Sequence, residues 1–102
     1  MKTCCREYLL EQFDHDEDII SEIYAEYVSS LAQKIAEAET ALAGGDFLTV
    51  DRAAHAMKGN ALAAGDPSVS EVAIMLRHAA QLKENDTAAK LLSHLKKLSA
   101  EL

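Results

Sequence analysis

His55, Lys58 and Gly59 stand at i, i+3 and i+4 in the stretch AAHAMKGNALAAGDP, Ala53 to Pro67. On a helix that spacing puts a histidine, a cation and a residue without a side chain on one face. An imidazole with the ordinary pKa of about 6.5 is mostly neutral at pH 7, which makes it an available nucleophile. If it took up a phosphoryl group, about two negative charges would appear beside the helix. Lys58 would meet that charge with an ammonium, and Arg52, at i−3, would assist. Gly59 costs a helix interior about 1 kcal/mol relative to alanine. Clearance is the compensation: a phosphate, or the backbone of a partner that carries one, can come close over a bare glycine.

The elements that must position this stripe are helical. Alanine, leucine, glutamate and lysine are abundant, and period-two alternation is absent, so an all-α fold is expected. Apolar residues recur at spacings of three and four from about Asp18 to Ala43, at Ile20, Tyr24, Tyr27, Leu31, Ile35, Ala38 and Leu42. This is one face of a long amphipathic helix, which Gly44-Gly45 should end. Asp46 is placed to cap the next helix, whose seam reads Phe47, Val50, Ala54, Met57, Ala61 and Ala64. Gly65-Asp66-Pro67 stops it. Ser68, with Glu71 three residues on, has the spacing of a capping box for a third helix. That helix would bury Val69, Val72 or Ala73, Leu76 and Ala80. Asn85-Asp86 breaks the pattern before a last helix with Ala88, Leu91, Leu92, Leu95, Leu98 and Leu102. A short helix, about Cys4 to Gln12, precedes the rest and should lay Leu9, Leu10 and Phe13 across one end. Short connectors favour antiparallel neighbours. The expected architecture is an up-down-up-down four-helix bundle with a short extra N-terminal helix.

The helical wheel then decides where His55 points. The core seam of its helix centres on Val50, Ala54 and Ala61, and His55 lies roughly 100–120° away at about 100° per residue. It belongs at the boundary or outside the core. Leu48, Asp51, Arg52, Lys58, Gly59 and Leu62 all lie within about 60° of it. Two leucines flanking a histidine and a glycine on the outer face read as a docking patch. His78 and His94 read as solvated surface residues, and Tyr24 and Tyr27 as core. The acidic run DHDED, Asp14 to Asp18, suits the N-terminal end of the long helix, or alternatively a contact for a basic surface.

Composition excludes several function classes. A chain of 102 residues is expected to be one domain, 1–102, able to build its own core. A net charge of −7 argues against nucleic acid as a partner. No apolar run approaches the roughly 18 residues of a membrane span, and MKTCCREYLLEQF lacks a secretory h-region. A cytoplasmic location is the expectation. Adjacent Cys4 and Cys5 are poorly placed to bridge and read as reduced thiols near a frayed terminus. No Gly-rich nucleotide loop occurs, so autokinase activity and a bound cofactor are not expected. The histidines His15, His78 and His94 form no Glu-x-x-His pair of the di-iron type.

His-x-x-Lys-Gly followed six residues later by Gly (His55, Lys58, Gly59, Gly65) resembles the signature of histidine-containing phosphotransfer domains. YLLEQF to ALAGGDF looks like the first bundle helices of that family. GDPSVSEVAIMLRHAA occupies the place of the helix after the motif, so the resemblance covers nearly the whole chain. Asp66-Pro67 departs from the usual pattern, so the following helix is expected to start later or at a different angle, and Asn60 stands where Ser or Thr is frequent; both bear on partner choice. The resemblance implies a phosphoryl carrier: His55 accepts the group from a receiver-domain aspartate and passes it to another receiver. Lys58 would be the counter-charge, Gly59 the clearance, and Leu48, Asp51, Arg52 and Leu62 the docking face. Receiver domains and a hybrid or sensor histidine kinase are the implied partners, with Mg²⁺ supplied by the receiver. A bundle complete in itself is expected as a monomer. The alternative is a helical adaptor that binds signalling partners without phosphotransfer. In a dimeric histidine-kinase hairpin an acidic residue usually follows the histidine, and here it is Ala56.

Overall fold

A computed structural model describes residues 1–102, and every element in it is a helix. They are α1 (Thr3–Gln12), α2 (Glu17–Ala43), α3 (Phe47–Ala64), α4 (Pro67–Gln81) and α5 (Asn85–Ala100). Local chemistry fixes the ends of α2 and α3. The Asp16 carboxylate accepts the backbone N–H groups of Asp18 and Ile19 at 3.1 and 3.2 Å, with Glu17 and Asp18 in the same first turn. This is the capping role expected of the acidic run. Asp46 accepts the Thr49 N–H at 3.1 Å. The Thr49 hydroxyl, and after it that N–H, hold the Asp46 carboxyl below its ordinary range. Gly45 and Gly65 take the left-handed backbone, at φ 72° and 70°, which stops α2 and α3 at low strain.

α2 packs on α3 and α5, and α4 packs on α3 and α5, so the four long helices close a ring. α1 lies against α2 and α3. The molecule is elongated, 43 × 19 × 18 Å, as the length of α2 dictates. The ring's interior is filled by Ile20, Leu31, Val50, Met57, Val69, Leu76, Leu92 and Leu95 among others, all essentially inaccessible to water. The most extensive interface is α3 against α4. Both helices bury small residues, Ala53, Ala54, Ala61 and Ala64 on α3 and Ala73, Ala79 and Ala80 on α4. Small side chains let the two backbones approach closely.

Several expectations need correction. Ser68 caps nothing: α4 begins two residues earlier than that cap implies, with Pro67 as its first helical residue and Asp66 in the cap position. A proline at the first helical position sacrifices no hydrogen bond, and its fixed φ suits the helix. Asn85-Asp86 is the first turn of α5, not the break. The break is Leu82–Glu84, where Lys83 has φ 56°. In α2, Ala41 is buried and Leu42 only half-buried. In α3, Ala53 joins the seam and Phe47 is half-buried. Leu9 is buried and Leu10 partly so, but Phe13 stays exposed.

The N-terminus is tied down. Cys4 and Cys5 are free thiols, and Cys5 lies wholly within the core. Burial, with the Asp66 charge nearby, pushes the Cys5 thiol up to about 12, which leaves it protonated and unreactive. The backbone N–H of Lys2 donates to the Tyr24 hydroxyl at 3.1 Å. Its ammonium donates to Asp66 at 2.6 Å. The other Asp66 oxygen accepts the Tyr27 hydroxyl at 2.8 Å. Asp66 is 1% exposed, a buried carboxylate with both oxygens paired.

Candidate functional site

α3 buries Val50, Ala53, Ala54, Met57, Ala61 and Ala64, so its opposite side is left to solvent. His55 is on that side and exposed. Leu48 and Leu62, at 59% and 56% exposure, lie about two turns before it and two turns after. Neither apolar side chain is buried by the fold. Arg52 is exposed and Lys58 half-buried, and neither belongs to the ion pairs of the chain. Two cations thus flank His55 at i−3 and i+3 without a committed carboxylate. A methyl group added at Gly59 would meet nothing within 4 Å. Internal packing does not require glycine there.

Gly65, the other motif glycine, has a different cause. A Cβ on it would collide with the Tyr8 side chain, and its φ is left-handed. Gly65 therefore serves the α3–α4 junction and the seating of α1.

Asp51 is not a free docking group. Its Oδ1 accepts the Arg77 Nε at 2.9 Å and the Gln81 Nε2 at 3.5 Å, both from α4. Arg77 and Gln81 are thereby drawn into the site, and sequence reasoning did not find them. Their approach to Asp51 depends on how two helices align, a register that no local spacing encodes. The Asn60 amide likewise turns away from the stripe, to the Ser30 hydroxyl on α2 at 2.9 Å. None of the surface cavities is lined by His55. An open face without a pocket suits a protein surface better than a small molecule.

A family model described as the Hpt domain matches residues 22–102. The chain belongs to the Hpt domain family. The match takes in α3 with its histidine stripe, α4, α5 and all but the start of α2. No curated protein and no solved structure matches the chain significantly. Hpt domains work by histidine phosphotransfer in phosphorelays, as phosphocarriers and not as kinases, and they interact with receiver domains and histidine kinases. No helix of this Hpt domain is long and apolar enough to cross a membrane.

Proposed function

We propose that His55 is the phosphoryl carrier of this Hpt domain. It takes the group from the aspartyl phosphate of one receiver domain and gives it to the aspartate of another. The observation that carries this is the setting of His55: exposed, between uncommitted cations, and beside a glycine that the fold itself does not need. The Nε2 lone pair attacks phosphorus, an N–P bond forms, and the P–O bond to the aspartate breaks. The carboxylate leaves with the bonding electrons, and the Nδ1 proton passes to solvent. The reverse sequence discharges the group. Phosphoryl transfer has a loose transition state, so positioning and charge neutralisation supply most of the catalysis. Lys58 meets the developing charge, and Mg²⁺ is assigned to the acidic pocket of the receiver.

The carrier is read as a single domain of residues 1–102, an antiparallel up-down-up-down bundle acting as a cytoplasmic monomer. The two- and three-residue connectors at 65–66, 44–46 and 82–84 support the antiparallel order. Burial of the apolar seams within the chain supports the monomer. The test is to mix the protein with receivers charged by acetyl phosphate and to look for acid-labile label on it. Label is expected from at least one receiver. Its absence across a panel would leave the adaptor reading.

Two outcomes follow from the stripe. Gly59→Ala should stabilise the fold by about 0.5–1 kcal/mol in thermal unfolding, because the methyl group has room and helix propensity improves. Gly59→Arg should keep the helical fold and block transfer by filling the clearance. An unchanged transfer rate in Gly59→Arg would remove this account of the glycine. Leu48→Glu and Leu62→Glu should each weaken receiver binding about tenfold in titration calorimetry. Their unfolding free energies should stay within about 0.5 kcal/mol of wild type, since both side chains are already in water.

A further inference from the structure

We propose that Asp51 and Arg77 form a charge relay that sets how strongly His55 holds its phosphoryl group: Arg77 leaves Asp51 for the phosphohistidine once it forms. The proposal rests on His55 being the carrier. Asp51 precedes His55 by four residues on the same face of α3, just over one turn or about 6 Å away along the axis. Arg77 reaches Asp51 from α4 through Nε at 2.9 Å. That contact leaves the two outer guanidinium nitrogens, the fork that suits a phosphate, off the carboxylate. The side chains are 30% and 21% exposed, so solvent screens them less than a fully exposed pair.

The charges on this face change with the state of His55. With a neutral imidazole, Asp51 holds Arg77 and the pair is balanced. A phosphoryl group adds about two negative charges one turn from Asp51, which the carboxylate repels. The same dianion competes with a single carboxylate charge for the guanidinium. Gln81, 3.5 Å from the same Asp51 oxygen, stays as a donor to Asp51 when Arg77 departs. Lys58, at i+3 from His55, then faces Arg77 across the phosphate. Arg77 thus favours the phosphorylated form and Asp51 opposes it.

The test measures the equilibrium constant for transfer from a phosphorylated receiver, which does not depend on how tightly the two proteins meet. Arg77→Met is expected to shift it toward the receiver by on the order of tenfold. Asp51→Asn is expected to shift it toward phosphohistidine by roughly three- to tenfold, since it frees Arg77 and removes the repulsion. Arg77→Lys keeps the charge without the fork and should fall between wild type and Arg77→Met. The ³¹P resonance of phosphohistidine should move in Arg77→Met. A purely structural ion pair gives a different pattern, because both variants break it equally. Shifts of the same sign in Asp51→Asn and Arg77→Met, or no shift in either, would overturn the relay while leaving His55 as carrier. Absence of label on the wild-type protein would instead overturn the carrier reading, and the relay with it.

Discussion

His55→Gln is expected to abolish acid-labile phosphate uptake from a charged receiver while leaving the fold intact. The glutamine amide nitrogen has its lone pair delocalised into the carbonyl, so it forms no N–P bond under these conditions. Loss of the nucleophile should reduce uptake by about a thousandfold or more, to background. The fold should not register the change. His55 is exposed, and a surface replacement of this kind alters stability by about 0.5 kcal/mol at most. The variant carries its own control, since His15, His78 and His94 remain and are exposed. Label retained in His55→Gln would transfer the carrier role to one of these three. Receiver binding measured alongside separates the rival function. An adaptor keeps both its binding and its biological output in His55→Gln, whereas a carrier keeps binding and loses output.

The parts of this molecule that could be read in advance are those encoded by near neighbours. The α2 and α3 seams, the Asp46 cap and the outward direction of His55 all follow from a period of 3.6 residues and from caps a few residues long. Residues matched by helical phase stayed matched in three dimensions. Ser68-Glu71 shows how such rules fail. The capping-box spacing is present, but Pro67 is a better first residue for a helix than a residue preceding it, and the chain uses it so. The unread parts depend on distant partners. Asp66 acquires its meaning from Tyr27 and Lys2, 39 and 64 positions away. Arg77 acquires its own from Asp51, 26 positions away. Cys5 reads as part of a loose end, because nothing in a ten-residue helix reveals that Lys2 reaches Asp66 and that Tyr8 sits against Gly65 at the α3–α4 junction.

Asp66 is where the largest effect on stability is expected, and it clarifies the departure at Asp66-Pro67. Asp66→Ala leaves the buried Tyr27 hydroxyl without its acceptor and the Lys2 ammonium without its counter-charge. Breaking a buried pair from one side costs roughly 3–5 kcal/mol. Lys2 is partly in water, which places the expected loss at about 3 kcal/mol. For a domain of this size that lowers Tm by about 12–20 °C. Asp66→Asn keeps an acceptor for Tyr27 and should lose less than Asp66→Ala. The same cluster predicts an alkaline limb. Burial raises Cys5, Tyr24 and Tyr27, and the Asp66 charge adds to each. Lys2 is raised because its hydrogen bond and attraction to Asp66 outweigh the opposing effect of burial. All four groups hold their protons more tightly folded than unfolded. Their stabilisation is therefore complete below the ordinary thiol value of 9.0 and the ordinary phenol and ammonium values of 10.0 and 10.5. It is lost as pH rises past them. Thermal unfolding followed by circular dichroism from neutral pH into alkali should show a steady Tm that falls above about pH 9. That fall should be shallower in Asp66→Ala, because part of each shift comes from Asp66. Transfer to His55, measured below the lowered Tm, should survive. An Asp66→Ala protein as stable as wild type would mean that this junction is held by packing alone, and that Lys2 and Tyr27 find other partners.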